Sequence, residues 1–184
     1  MRKSILFLTF LCLQAGALRA QVTLTERAAA RTDFELVTAD GTAAVCYDAA
    51  DAAVVGTAAG LFAADVARVT GREIPVVDGS ELPAKTRCAV IVGTVGQSRW
   101  IDELAAAKKI DVTPIEGGWE RYTLRLVDRP GHGLRKALVI AGSDRRGTAY
   151  GLLSVSRAIG VNPWYWWADA PVERRDRVTL RVAD

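Results

Sequence analysis

Two short apolar runs constrain this chain more than any other feature. Cys88 to Val92 and Ala137 to Ala141 carry no charged or amide side chain. Strands of that kind are buried on both faces, unlike the alternating strands of a half-wetted sheet. Each run stops at a glycine, Gly93 or Gly142, and a helical pattern follows. The pattern predicts an α/β domain, a mixed β-sheet covered by helices.

The remaining elements agree in order. Phe34 to Val37 and Ala44 to Tyr47 read as strands around the Ala39-Asp40-Gly41 turn, so a hairpin is expected. A helix follows from Asp51 to Gly71, with Val54, Val55, Ala58, Leu61, Phe62, Val66 and Val69 on one face. Glu73 to Val77 is a short strand. Ser98 is placed to cap a helix through about Lys108. Glu120 to Val127 alternates as a half-exposed strand, and Val178 to Val182 is the last one.

The stretch after the second apolar run is the most distinctive. Ser143 or Asp144 can cap a helix over Arg145 to Ile159, whose apolar side holds Ala149, Leu152, Leu153, Ser156 and Ile159. Gly160 ends it by taking the left-handed conformation. Trp164, Tyr165, Trp166 and Trp167 then follow almost at once. So much ring surface in one segment needs a cover. On a strand the four rings would alternate between faces, so some must be buried.

The first twenty residues read as a secretory leader. Arg2 and Lys3 precede a short apolar run, Ile5 to Leu13, and small residues allow cleavage after Ala17 or Ala20. The run is too short to span a bilayer. Cys12 lacks the neighbours of a lipidation signal. Cleavage after Ala20 removes Arg2, Lys3 and Arg19 and no acid, leaving 21 basic against 21 acidic residues. The exported chain is then formally neutral, which argues against a nucleic-acid partner. Residues 21–33 read as a lead-in and 34–184 as one domain.

Export makes a Cys46–Cys88 disulfide possible, whereas their apolar surroundings suit buried free thiols. No pair has metal-site spacing, and the single histidine, His132, sits in a Pro-Gly-His-Gly turn. Gly93 to Ser98 follows a strand and opens a helix, but it matches neither phosphate-loop pattern, so it reads as a tight turn. Asp144, Arg145 and Arg146 stand where a strand end meets a helix start, a frequent ligand position in α/β sheets. Capping by Asp144, ion pairs from the arginines, or pinning of a neighbouring domain is the reading favoured over a ligand. Glu116, Glu120, Asp144 and Asp169 are candidate acids, but none pairs with another at a spacing that implies a glycosidase site.

The segment GSDRRGTAYGLLSVSRAIGVNPWYWWADAP, Gly142 to Pro171, resembles the N-terminal domain of the glycoside hydrolase family 115 enzymes, the xylan α-1,2-glucuronidases. VIVGTVGQS (Val90 to Ser98), WERYTLRLV (Trp119 to Val127) and ALVIAGSD (Ala137 to Asp144) agree in order. The resemblance spans roughly Phe34 to Val182. It implies an N-terminal α/β domain of the hexosaminidase and α-glucuronidase kind, without catalytic residues, and a family reaction that inverts and uses no cofactor. The catalytic acids of that family lie in a following (β/α) barrel of about 250 residues. The chain stops at Asp184, so the barrel is expected to be missing and to be this domain's partner, with glucuronoxylan a possible ligand.

The leading expectation is an exported accessory domain, periplasmic or extracellular and inactive alone. Asp144, Arg145, Arg146, Tyr150, Trp164, Tyr165, Trp166 and Trp167 would form its docking face or border the substrate pocket. One alternative is a free-standing carbohydrate-binding module using Trp164 to Trp167. Another is a periplasmic structural domain with those rings sealed inside.

Overall fold

The computed structural model describes residues 22–25, 30–79, 81–168 and 170–183, without the side chains of Trp166 and Trp167. The leader and Asp169 lie outside the described residues.

The two apolar runs form the centre of a five-stranded sheet. Its strands are β4 (Ala44–Cys46), β5 (Val76–Val77), β6 (Cys88–Thr94), β7 (Tyr122–Gly131) and β8 (Leu134–Gly142). Their order is β5-β4-β6-β8-β7. β4, β5, β6 and β8 run parallel, and β7 closes one edge as an antiparallel hairpin partner of β8. Helices α1 (Ala53–Thr70) and α3 (Arg145–Ala158) cover one face through Val55, Phe62, Val66, Leu152 and Val155. Helix α2 (Arg99–Ala106) covers the other through Trp100, Ile101 and Leu104. Covers on both faces are what the unbroken apolar runs require.

A second, antiparallel sheet has the order β1-β9-β2-β3, from β1 (Val22–Leu24), β2 (Asp33–Thr38), β3 (Gly41–Thr42) and β9 (Val178–Val182). Phe34, Leu36, Val178 and Leu180 join the core beneath α1 and α3. Asp33 and Arg181 tie β2 to β9: the guanidinium donates to both carboxylate oxygens, at 2.8 and 3.0 Å.

Several expectations are corrected here. The predicted hairpin of Phe34–Val37 with Ala44–Tyr47 does not form. β2 pairs with β3 and β9, while β4 enters the other sheet between β5 and β6. Its three residues are all buried, which suits an interior parallel position and not an outer hairpin arm. The lead-in of residues 21–33 contains β1, held in register by Val22 opposite Val182. Leu153 is 46% exposed, because the buried stripe of α3 runs through Thr148, Leu152, Val155 and Ile159. Val54 and Leu61 likewise turn outward from α1, where Ala59 and Asp65 are buried instead. Ser98 makes no side-chain capping bond: its hydroxyl is buried against Gly93, and Asp102 takes the neighbouring Gly96 N–H at 2.9 Å.

Cys46 and Cys88 are free thiols. The register explains why. Cys46 stands opposite Ile91, three residues beyond Cys88 along β6. Three residues span about 10 Å of strand, too far for a disulfide. The two also pack against opposite faces of the sheet, Cys46 with α2 and Cys88 toward α1 and α3.

Candidate functional site

The parallel strands deliver their C-terminal ends to one edge of the sheet. β4 leads into α1 on one face, and β6 leads into α2 on the other. Connections that part in this way leave a crevice between the two strands. A cleft of about 500 Å³ opens there, lined among others by Asp51, Thr94, Gln97, Ser143, Asp144 and Arg145.

Buried hydrogen bonds lock the floor of this edge. Asp51 accepts the Thr94 N–H at 2.7 Å. Thr148 donates its hydroxyl to the Asp144 carbonyl at 3.0 Å, and the Thr94 hydroxyl, 2.8 Å away, donates to Thr148. The ends of β4, β6 and β8 are joined by these bonds. Paired polar groups of this kind rigidify a site, because breaking one strands the other away from water.

Asp144 is the hub. One carboxylate oxygen accepts the N–H groups of Arg146 and Gly147 at 2.9 and 2.7 Å, capping α3. The other accepts the Glu120 N–H at 2.8 Å. These bonds, Gly147 foremost, hold its carboxyl below the usual carboxylate range. A general acid for glycoside hydrolysis needs the opposite shift, so this geometry is that of a structural cap.

The glycines of the RRGTAYG stretch have a steric purpose. A Cβ at Gly147 would overlap the Arg121 carbonyl oxygen, and one at Gly151 would overlap Ile140. α3 therefore lies directly on β7 and β8. The motif is a packing signature for this helix-to-sheet contact.

Arg146 projects outward from the first turn of α3. Its guanidinium pairs with Glu120 at 3.0 Å, donates to the Tyr150 hydroxyl at 3.3 Å, and lies 6.0 Å from the centre of the Trp119 ring. The Tyr150 hydrogen bond foremost, and then the Glu120 charge, raise its affinity for its proton further. Arg145 is exposed on the cleft wall.

The aromatic segment lies at the other end of α3, which at 14 residues is about 21 Å long. It is not a strand. Asn162 accepts the Trp164 N–H at 3.0 Å, and one helical turn, α4 (Tyr165–Ala168), follows. Trp164 is 63% exposed. Tyr165 is half-buried beneath the Arg68 guanidinium, 5.3 Å from its ring centre. The expected site thus divides into Asp144, Arg145, Arg146 and Tyr150 at one end of α3, and Trp164 and Tyr165 at the other. The first group gains a residue that sequence reasoning missed: Trp119, 76% exposed. Its only signal was a tryptophan directly after the Gly117-Gly118 turn. Of the other candidate acids, Glu116 is exposed and Glu120 is committed to Arg146.

The fold and this edge define an α/β domain with a mixed sheet covered by helices. No protein-family model and no curated protein matches the chain. Among solved structures it is similar to one described as a novel family GH115 4-O-methyl-alpha-glucuronidase, BtGH115A, with specificity for decorated arabinogalactans. The TM-score is 0.61 and the identity 31%, over 82% of this chain and 17% of that one. The resemblance to family GH115 read from the sequence is therefore matched in three dimensions, and the domain is related to part of such an enzyme. The chain spans about a sixth of that enzyme's length.

Proposed function

We propose that this chain is the accessory N-terminal domain of an exported α-glucuronidase of the GH115 type. It carries no catalytic acid and acts by docking to the catalytic part of the same polypeptide. The observation that carries this reading is the partial match: most of this chain aligns with a small share of a much longer glucuronidase. The leader-like first twenty residues support export to the periplasm or beyond. Exposed Trp164 supports docking, since a large ring left in water gains most by being covered. The full enzyme acts on a glucuronic-acid-decorated polysaccharide. Glucuronoxylan follows from the sequence resemblance, and decorated arabinogalactan is named for the structural neighbour.

The test is reconstitution. A GH115 enzyme deprived of the segment that matches this chain is mixed with the purified chain. A one-to-one complex on sedimentation, weakened by Trp164→Ala, is the expected result. Two independently sedimenting species would overturn the docking reading.

A further inference from the structure

We infer that Trp119, with Glu120, Arg146 and Tyr150, is a binding platform for a neutral pyranose unit of a polysaccharide. The inference goes beyond docking, and Trp164 has no part in it.

A pyranose ring has an apolar C–H face and a rim of hydroxyls that both donate and accept. A matching site needs an exposed aromatic face with mixed donors and acceptors at its edge. Trp119 is the most exposed large apolar side chain among the described residues. The Arg146 guanidinium approaches its ring, and most of the ring surface is open to solvent. Around it, the Glu120 carboxylate pairs with Arg146 through Oε1 at 3.0 Å, and a carboxylate has capacity to accept further bonds. Tyr150 accepts from Arg146, leaving its own hydroxyl proton to donate. Arg146 already faces Glu120, so the cluster is not a bare cation seeking an anion. That balance favours neutral sugars over acidic ones.

The platform is also built in advance. Glu120 adopts a left-handed conformation, φ 53°, uncommon for a residue with a side chain. Asp144 holds its N–H, Ser143 Oγ accepts the Arg121 N–H at 3.0 Å, and Ser143 N–H donates to the Arg121 carbonyl at 2.9 Å. The turn presenting Trp119 is tied to the residues that follow β8, Ser143 and Asp144. A surface fixed before binding loses less freedom when a ligand arrives. The Trp119 ring is bordered by charged and hydroxyl groups, which match the hydroxyl rim of a sugar.

Calorimetric titration of the purified chain with soluble arabinogalactan, arabinoxylan and mixed-linkage β-glucan tests this. At least one is expected to bind, with Trp119→Ala weakening it about tenfold or more and Tyr150→Phe by a smaller factor. Thermal melting of Trp119→Ala should coincide with wild type, because that side chain is exposed. The inference is overturned if none of the three binds, if Trp119→Ala binds as wild type does, or if Trp164→Ala abolishes binding in its place. None of these outcomes bears on the reconstitution experiment, so the docking reading stands or falls separately.

Discussion

The Asp144 carboxylate accepts the backbone N–H of Glu120, 24 residues earlier in the chain, at 2.8 Å. The same side chain caps α3. One carboxylate therefore fixes both the helix start and the turn that carries Trp119. Replacement by alanine strands three N–H groups. It should cost about 1–2 kcal/mol, the usual range for a lost cap, and lower the melting point by about 2–8 °C in a domain of this size. Thermal denaturation followed by circular dichroism checks this, and a melting point equal to wild type would refute the hub role.

Two glycines in helices should respond in opposite directions. Gly147→Ala drives a methyl into the Arg121 carbonyl and should destabilise by about 2 kcal/mol or more. Gly60 lies exposed in the interior of α1 with nothing near its absent side chain. Gly60→Ala should stabilise by about 0.5–1 kcal/mol. Chemical denaturation of the pair decides whether the RRGTAYG glycine is steric.

The acid limb of stability should have a defined place. Arg181 holds Asp33 below the ordinary carboxyl value of 3.8, backbone N–H groups of Ala50 and Gly147 do the same for Asp48 and Asp144, and the Thr113 hydroxyl for Asp111. In each case the folded state binds its proton less tightly than the unfolded chain. The stabilisation is therefore full above the unfolded value and is lost as pH falls through the lower folded values. The melting point should be level from pH 7 to about pH 5 and fall below about pH 4. Asp33→Asn should have a shallower acid limb. A decline that begins above pH 5 would contradict this assignment.

The two thiols should differ in reactivity and remain unpaired. Burial pushes the Cys46 thiol up to about 12, while Cys88 is only half-buried. Iodoacetamide labelling of the folded protein, read by peptide mapping, should modify Cys88 well before Cys46. A Cys46–Cys88 crosslinked peptide after air oxidation would contradict the sheet register.

What could be read from the sequence divides along physical lines. β6, β8 and the helix after β8 were legible, because long apolar runs and 3.6-residue spacing reflect burial directly. β1 and β3 have three and two residues, too few to show any period, whereas the short strand expected over Glu73 to Val77 does form, as β5 at Val76–Val77. The mistaken hairpin arose because β2 finds its partner in β9, 148 residues away for the Asp33–Arg181 pair, a contact that no local pattern encodes. The Asp144 cap was legible from its place before the helix, but its second bond to Glu120 was not. Trp119 was missed for the same reason: its exposure depends on a left-handed Glu120 held from a distant strand end. At Trp164 to Trp167, four aromatic residues cannot distinguish a strand from a single helical turn, and the Asn162 side chain favours the turn.

The most direct test of the central claim is glucuronic acid release. Purified chain alone is incubated with glucuronic-acid-decorated arabinogalactan and with glucuronoxylan, and free uronic acid is measured over time. An accessory domain predicts no release above the buffer blank from either polysaccharide. Steady release proportional to the chain's concentration, lost when Glu120 is changed to Gln, would contradict that account and make the Glu120–Arg146 edge an active site.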